Sequence, residues 1–207
     1  MGNKIFSTST KQIWNPKPLP IKNKIPFKII FVGSSGSGKS VLLNTYENNE
    51  FTDLGPTIGV ELYSKYISNQ EYENLYFQLW DTSGLDKFKN ITLSYYKNCD
   101  AYIIVIPSND KYYQKNFINY YNDILSKKNK NSEIYLIFNL RNNNSISEID
   151  PKDVQNFAFK FNNNIKFLVA DAKNVHELKQ LFDNILNNVV SKFVAEKLKK
   201  VLMDDDG

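Results

Sequence analysis

The sequence predicts an α/β domain in which helices cover both faces of a mostly parallel sheet. Two observations lead to this fold class. A continuous apolar run at residues 27–32 ends at Gly33, which is typical of a buried parallel strand. Further apolar runs then alternate with segments of helix length. The 207 residues are enough for one such domain, and the 42% hydrophobic and 23% charged content is ordinary for a globular protein.

The first half of the chain predicts one strand, one helix and a hairpin. The strand at 27–32 is followed by a Gly/Ser loop and by a helix from residue 39 to about residue 48. Residues 59–68 and 72–80 are alternating aromatic and β-branched runs joined by a short polar turn. This hairpin supplies one antiparallel strand at an edge of the sheet.

Three later strands and a long final helix complete the predicted domain. The strands are expected at 101–106, 133–139 and 165–170, with right-handed crossovers between them. From about Asn174, apolar side chains recur at three- and four-residue steps and form one broad face. They are Leu178, Leu181, Phe182, Ile185, Leu186, Val189, Val190, Phe193, Val194, Leu198 and Val201. The first half of this helix is expected to pack on the sheet, and the second half to meet a partner or fold back.

Charge is distributed unevenly along the chain. The net charge of +4 is too small to indicate nucleic-acid binding, so no nucleic-acid partner is expected. Residues 1–46 contain seven lysines and no acid, whereas residues 204–206 are all aspartate. Residues 1–25 are interpreted as an extended basic segment, and 196–207 as a helix end with an acidic tail. The basic segment is either a solvated tail or a stretch attracted to an anionic membrane surface.

Cysteine content and hydropathy favour a cytoplasmic protein. Cys99 is the single cysteine, which excludes an internal disulfide framework and fits a reducing compartment. No apolar run reaches the length of a membrane span. The amino terminus lacks the apolar core of a secretory signal.

The loop after the first strand has the pattern of a phosphate-binding P-loop, GSSGSGKS, at residues 33–40. Its glycines let backbone amides curl around phosphate oxygens without obstruction by side chains. Lys39 is expected to reach the β- and γ-phosphates, and the Ser40 hydroxyl to bind Mg²⁺. The amino terminus of the following helix adds its partial positive charge.

Positions further along the chain predict the rest of a magnesium site. Asp81 ends an apolar run, where P-loop proteins place the acid that holds the metal. Thr57 lies in the loop before the hairpin, and its hydroxyl is expected to complete the metal shell when a γ-phosphate is present. Gly84 is expected to turn its amide toward that phosphate. Two such loops would order with triphosphate and relax after hydrolysis.

Three segments resemble the Rab family within the Ras superfamily of small GTPases. They read PTIGVE at 56–61, WDTSGLDKF at 80–88 and ITLSYYKNCDAYIIV at 91–105. The resemblance covers about residues 26–195 and implies the three-layer P-loop NTPase fold, with a six-stranded sheet and five helices. It also implies a GTP/GDP switch with Mg²⁺ that acts in vesicle traffic through effectors, exchange factors and GAP-like proteins.

The resemblance also carries over to individual residues. The catalytic positions are Lys39, Thr57 and Gly84, and the Mg²⁺ ligands are Ser40, Thr57 and Asp81. The nucleotide-binding set is Gly33, Ser34, Ser35, Gly36, Ser37, Gly38, Lys39, Ser40, Val41, Phe51, Thr57, Gly84, Asn139, Asn142, Asp171, Ala172 and Lys173. The effector surface is Ile58, Leu62, Trp80 and Tyr95, with Leu62 standing where an aromatic residue is usual.

Leu85 departs from the family at the position after the second-switch glycine. The family places a glutamine there to orient the attacking water, and leucine has no side-chain donor or acceptor. We therefore expect slow intrinsic hydrolysis and a long-lived triphosphate state, unless a helper protein offers a glutamine. Ser35 also replaces a family glycine, although Rab proteins commonly carry serine there.

The guanine-reading motif departs from the family at two positions. The family pattern Asn-Lys-x-Asp corresponds here to Asn139, Leu140, Arg141 and Asn142. Leu140 loses the lysine that packs over the base, and Asn142 offers one neutral acceptor oxygen where a carboxylate offers two charged ones. Preference for guanine is therefore expected to weaken.

Two further positions bear on the base. In the run Asp171-Ala172-Lys173, the backbone amide of Ala172 is expected to meet the guanine oxygen and to keep some preference over adenine. Phe51 lies one residue closer to Thr57 than the family pattern expects. It is either the aromatic that stacks on the base or a simple packing residue.

Attachment to a membrane is predicted to differ from that of Rab proteins. No cysteine follows Cys99, so the carboxy-terminal prenylation of the family is not expected. Gly2 is a candidate for myristoylation, although Phe6 stands where the motif has Ser or Thr. One acyl chain anchors only marginally, so the lysines at 4–28 would be the second signal for a peripheral position on an endomembrane.

Two functions therefore remain open. The first is a divergent Rab-like switch that binds GTP and Mg²⁺ and recruits effectors. The second is a pseudo-GTPase scaffold, favoured by Leu85, Leu140 and Asn142 and opposed by the intact P-loop. A P-loop kinase or an ATPase of another class is disfavoured, because no lid or acceptor-site signature occurs.

Overall fold

The computed structural model describes residues 26–67, 75–140 and 149–204, with side chains as far as residue 199. Gly2, the lysines before residue 26, the turn at 69–71, Asn142, Asp205 and Asp206 lie outside these ranges. Six strands are described: β1 Phe27–Val32, β2 Val60–Ile67, β3 Leu75–Thr82, β4 Ala101–Pro107, β5 Glu133–Asn139 and β6 Lys166–Ala170. Five α-helices are described: α1 Lys39–Asn48, α2 Lys89–Ser94, α3 Tyr113–Leu125, α4 Pro151–Phe159 and α5 Val175–Asp204.

The strands form one sheet in the order β2-β3-β1-β4-β5-β6. Every neighbouring pair is parallel except β2 with β3, which is antiparallel and places β2 at an edge. The predicted fold class is confirmed, including the single antiparallel edge strand. Both faces of the sheet are covered, because successive β1 side chains point to opposite faces and every one is apolar at the end of the strand. Ile29 and Phe31 belong to one apolar cluster, and Ile30 and Val32 belong to the other.

Different helices close the two faces of the sheet. On the first face, α1 and α5 contribute buried apolar side chains such as Leu42 and Phe182. On the second face, α3 and α4 contribute residues such as Phe117 and Val154. This three-layer arrangement buries every residue of β4, whereas β2 is the most exposed of the six described strands.

Helix α5 is continuous over 30 residues. Its start fits the prediction, since the Asn174 side-chain oxygen accepts from the amide of Glu177 and the Asn174 carbonyl from the amide of Leu178. Phe193 packs edge-on against Phe27 at 5.3 Å between ring centroids. None of the helices in the described ranges is long and apolar enough to span a membrane.

Candidate nucleotide site

The P-loop lies at the carboxyl end of β1 and leads directly into α1. Open parallel sheets bind ligands outside these strand ends. Gly33, Gly36 and Gly38 have φ angles of 150°, 75° and 95°, which favour glycine. A Cβ atom at Gly33 would lie 2.5 Å from the Val105 carbonyl oxygen, so the loop is pressed against β4.

Lys39 is held by the loop that precedes it. Its Nζ donates to the carbonyl oxygens of Gly33 at 2.8 Å and Ser34 at 3.1 Å, and lies 3.3 Å from Ser37 Oγ. Burial lowers the pKa of this amine to about 8, against the opposing pull of the Asp81 carboxylate. The amine is therefore fixed beneath the loop, beside the amides that would receive a phosphate.

Three oxygen-bearing side chains from separate elements meet next to Lys39. Ser40 Oγ donates to Asp81 Oδ2 at 2.5 Å, and Thr57 Oγ1 donates to the same oxygen at 3.0 Å. The two hydroxyl oxygens lie 2.5 Å apart. The fold thus brings together the three residues that the sequence assigned to Mg²⁺, from α1, the loop before β2, and β3.

The chemistry of this cluster fits a hard divalent cation. Asp81 is fully buried, and its second oxygen, Oδ1, has no hydrogen-bond partner. Burial raises the pKa of this carboxyl, while the Ser40 hydroxyl, the Lys39 charge and the Thr57 hydroxyl lower it. A buried carboxylate oxygen without a donor is costly unless a cation satisfies it. Carboxylate and hydroxyl oxygens are ligands that suit Mg²⁺.

Gly84 lies against the P-loop more closely than any side chain would permit. The Ser35 amide donates to the Gly84 carbonyl at 3.2 Å. A Cβ atom on Gly84 would overlap the backbone of Gly33, Ser34 and Ser35. Glycine is required here for close approach rather than for an unusual backbone angle.

The phosphate side contains residues that the sequence reasoning missed. A cavity of about 190 Å³ lies over the P-loop and next to Val41 and Thr57. Its lining also includes Asp53, Leu54, Gly55, Pro56 and Thr82. The first four lie between Phe51 and Thr57 in the sequence, and Thr82 directly follows Asp81. This closeness to predicted site residues could have identified them.

On the base side, Asn139 is tied to the P-loop. Its Nδ2 donates to the Ser37 carbonyl at 2.9 Å, whereas its Oδ1 has no partner. A Cβ atom on Gly38 would overlap this same amide nitrogen. Leu140 follows at the end of β5, partly buried against the apolar cluster under α3 and α4. Asn142 lies outside the described residues.

A second segment on the base side, residues 171–173, directly follows β6 and lies beside the end of β5. The Leu140 amide donates to the Ala170 carbonyl at 2.7 Å, and Asp171 Oδ1 accepts from the Lys173 amide at 2.9 Å. Ala172 is buried. Lys173 Nζ lies 5.8 Å from the ring centroid of Phe51, whose side chain is 38% exposed. Phe51 and Lys173 therefore meet at one place beside the cleft, although their sequence positions are far apart.

Leu85 lines a second cavity, of about 360 Å³, between the loop after β3 and helix α3. The Leu85 amide lies 3.3 Å from Ser83 Oγ. Asn116, Asn119 and Tyr120 of α3 face the same space. Burial raises the pKa of Tyr120, and the nearby Ser34 side chain lowers it. No motif marks these α3 residues, so they could not be identified from the sequence.

Comparison with known proteins decides the family. The sequence model of the Ras family matches residues 28–191, which is most of the domain just described. The chain belongs to the Ras family. The Ras-related protein Rab-11C of Dictyostelium discoideum is 32% identical over 180 residues, covering 86% of this chain and 78% of that protein. Ras-related protein RABC1 of Arabidopsis thaliana is 31% identical over 170 residues, covering 79% of this chain and 77% of that protein.

A third relative is matched over nearly the whole of its own length. Ras-related protein RabC of Dictyostelium discoideum is 30% identical over 180 residues, covering 86% of this chain and 91% of that protein. The relatives are Rab proteins, and the resemblance to a divergent Rab-like member of the Ras superfamily is confirmed.

The residues that the sequence predicts as an effector surface lie in the loop before β2, on β2 and β3, and directly after α2. Leu62 pairs with Trp80 across the antiparallel ladder. The Trp80 and Tyr95 rings lie 5.0 Å apart between centroids, and Lys28 Nζ lies 5.2 Å from the Trp80 ring. Leu62 is 46% exposed and Ile58 is 78% exposed. The pair Leu62 and Trp80 thus forms one patch with Tyr95.

Proposed function

We propose that the chain is a Rab-like switch of vesicle traffic that binds GTP or GDP with Mg²⁺ and hydrolyses GTP slowly. The observation that carries this proposal is the convergence of Ser40 and Thr57 on the buried, half-satisfied carboxylate of Asp81. This cluster lies beside a P-loop whose lysine is already in place. Membership of the Ras family adds the reaction class.

Each part of the site has a role in the bound state. The P-loop amides and the α1 amino terminus would hold the phosphates, and Lys39 would exchange a loop carbonyl for a phosphate oxygen. Ser40, Thr57 and Asp81 would hold Mg²⁺, which neutralises charge that develops on the phosphates. Gly84, which touches Ser35, would turn its amide toward the γ-phosphate. Lys39, Thr57 and Gly84 thus act by positioning and charge stabilisation.

Hydrolysis is proposed to be slow because of Leu85. Its side chain offers water neither a donor nor an acceptor. A GAP-like partner that inserts a glutamine would restore the rate.

Selection of the base is proposed to be weaker than in other Rab proteins. Leu140 and Asn142 reduce what the motif after β5 offers to guanine, since a charge-assisted hydrogen bond contributes about 1.5–3 kcal/mol. Phe51 and Lys173, which lie together, are placed to enclose the base from two sides. The Ala172 amide would keep part of the preference for guanine over adenine.

Effectors are proposed to bind at Ile58, Leu62, Trp80 and Tyr95, next to the loop that carries Thr57. Exchange factors and GAP-like proteins are the other expected partners. We place the protein in the cytoplasm, held peripherally on an endomembrane by acylated Gly2 together with the lysines before residue 28. Mass spectrometry of Gly2 in the native host tests this anchor, and an unmodified glycine would remove it.

A pseudo-GTPase scaffold is the second candidate. Leu85 and Leu140 favour it, because both are apolar residues at positions where the chemistry of the family needs polar ones. In that case the nucleotide is structural or absent, and the effector patch alone carries the function.

The nucleotide content of the purified protein distinguishes these possibilities. The protein is prepared in the presence of Mg²⁺ and denatured, and the released nucleotide is identified by chromatography. GTP indicates a stalled switch, GDP a working one, and no nucleotide the scaffold. Lys39→Ala serves as the matched variant, since nucleotide that persists in it is not held by the P-loop.

A further inference from the structure

Among the described strands, β2 lies at one edge of the sheet, and its outer side pairs with none of them. Among the described residues it pairs only with β3, in an unbroken antiparallel ladder of eight residue pairs. Leu62 and Tyr66 are 46% and 66% exposed. An uncovered edge of this length presents unpaired backbone N–H and C=O groups, which form a template for another strand.

The side chains of β2 alternate between two different surfaces. Tyr63 packs against the apolar cluster under α1 and α5, and Lys65 Nζ lies 3.2 Å from Glu47 of α1. Glu61 shares this face, because it alternates in step with these two residues. Leu62, Ser64 and Tyr66 therefore lie on the opposite face, where Tyr66 stacks on Tyr76 at 4.8 Å between ring centroids.

Backbone geometry limits how β2 can pair with itself. In an antiparallel pair, two opposed residues either both exchange hydrogen bonds or both do not. Successive residues of β2 point their backbone groups alternately toward β3 and toward the open edge. If β2 pairs with β2 of a second copy about a two-fold axis, each pair of opposed residues must therefore be both even-numbered or both odd-numbered. One residue then lies opposite the same residue of the second copy, and the two-fold axis passes between these two.

We infer that β2 pairs antiparallel with β2 of a second copy of this chain, with the two-fold axis at Tyr63. In this register Glu61 lies opposite Lys65 of the second copy, and the symmetry repeats the pair. Ser64 lies opposite Leu62 on the other face, and Tyr66 opposite Val60. Opposite charges that face each other across strands stabilise pairing, and the interface uses the same patch on both copies.

The order of charges along β2 favours this partner over an unrelated strand. Moving the axis by one residue, to Ser64, places Glu61 opposite Ile67 and Lys65 opposite Tyr63, so both ion pairs are lost. Parallel pairing in register places Glu61 opposite Glu61 and Lys65 opposite Lys65 of the second copy, so like charges face each other. The charged residues thus favour this register over the other registers of self-pairing.

The contact involves about seven residues from each copy, which is small for a stable dimer. The dimer is accordingly weak, with a dissociation constant on the order of 100 µM. Because pairing uses Leu62, it also occupies part of the proposed effector surface. Self-association and effector binding at that residue exclude each other.

Sedimentation equilibrium of the full chain tests the pairing through charge reversal. Glu61→Lys and Lys65→Glu each convert two attractive pairs into two repulsive ones, so each alone raises the dissociation constant by at least about ten-fold. An equimolar mixture of the two variants restores association as a heterodimer, since every pair is again of opposite charge. Lys115→Glu on α3 and Glu177→Lys on α5 are matched reversals at exposed positions and leave association unchanged.

Cysteine cross-linking tests the register in the same chain, whose own Cys99 is buried. Opposed residues lie within disulfide range, whereas diagonal neighbours do not. A mixture of Leu62→Cys and Ser64→Cys therefore cross-links under mild oxidation, and neither variant cross-links with itself. Self-linking of Ser64→Cys would instead assign the axis to Ser64 and overturn the register. A wild-type chain that stays monomeric up to about 1 mM, or a mixture that fails to associate, overturns the pairing itself.

Discussion

The two halves of the nucleotide cleft differ in how completely they match the chemistry of the Ras family. On the phosphate side, Lys39, Ser40, Thr57 and Asp81 are all present and bonded to the loop or to one another. On the base side, the motif after β5 keeps Asn139, whereas Leu140 packs as an apolar residue. The groups predicted to hold phosphate and those predicted to select the base therefore come from different strand ends, and the bond from Asn139 to Ser37 connects the two sides.

The largest expected effect is on the phosphate side. Asp81→Ala removes the only charged ligand of the oxygen cluster, so the affinity for GTP in Mg²⁺ should fall by about 100-fold. The affinity of the variant should also become insensitive to chelation of Mg²⁺, which titration calorimetry with and without chelator measures. Asp86→Ala, an exposed carboxylate a few residues later, is the control and should bind normally. Retained Mg²⁺ dependence in Asp81→Ala would disprove the assignment of the metal site.

The next effect concerns hydrolysis. Leu85→Gln supplies the missing group that orients water, so the single-turnover rate of GTP hydrolysis should rise by at least about ten-fold. Leu85→Met has a similar size but no comparable hydrogen-bonding group, and its rate should match that of the wild type. If the wild type already hydrolyses GTP at an ordinary Rab rate, or if both variants behave alike, Leu85 does not limit turnover.

A smaller effect is expected where the base stacks. Phe51→Ala should weaken binding of GTP and GDP by about ten-fold, since stacking of one base on an aromatic ring contributes about 1–3 kcal/mol. Phe51→Tyr keeps the ring and should bind like the wild type. Fluorescence titration measures both. Normal affinity in Phe51→Ala would mean that the ring only packs beside Lys173.

The smallest effect concerns the choice of base. Leu140→Lys returns a cation that packs over the ring system, so the ratio of GTP to ATP affinity should rise by about three-fold. Leu140→Met tests whether any gain comes only from a longer side chain. An unchanged ratio in Leu140→Lys would place base selection elsewhere, in the segment around Ala172.

Local patterns were sufficient to predict most of the fold. The run before Gly33 and the helix after it are encoded by adjacent residues, and the hairpin by a period of two. Element boundaries depend on pairing partners, which local patterns do not contain. Strand β4 includes Pro107 because Pro107 pairs with Asn139, and β3 continues to Thr82, whose hydroxyl donates to the Phe31 carbonyl at 2.6 Å.

Motifs in the sequence predicted individual residues of the site but not how those residues are arranged. Ser40, Thr57 and Asp81 could be assigned one by one, yet their distances depend on three elements packing together. The position of Tyr120 beside the P-loop could not be inferred, because helical spacing marks α3 as apolar packing without showing which residue faces the loop. Contacts between residues far apart in sequence were the part that only the structure supplied.

The bond from Asn139 to Ser37 gives a reason for the uneven pattern of change in the base-reading motif. The two residues are 102 positions apart, and the amide fills the space that a side chain at Gly38 would need. Replacing Asn139 would therefore loosen the loop that holds phosphate, whatever base is bound. Leu140 makes no such bond to the loop through its side chain. The motif that the resemblance assigns to guanine thus contains one residue that also holds the P-loop, and we expect this residue to tolerate substitution less well than its neighbours.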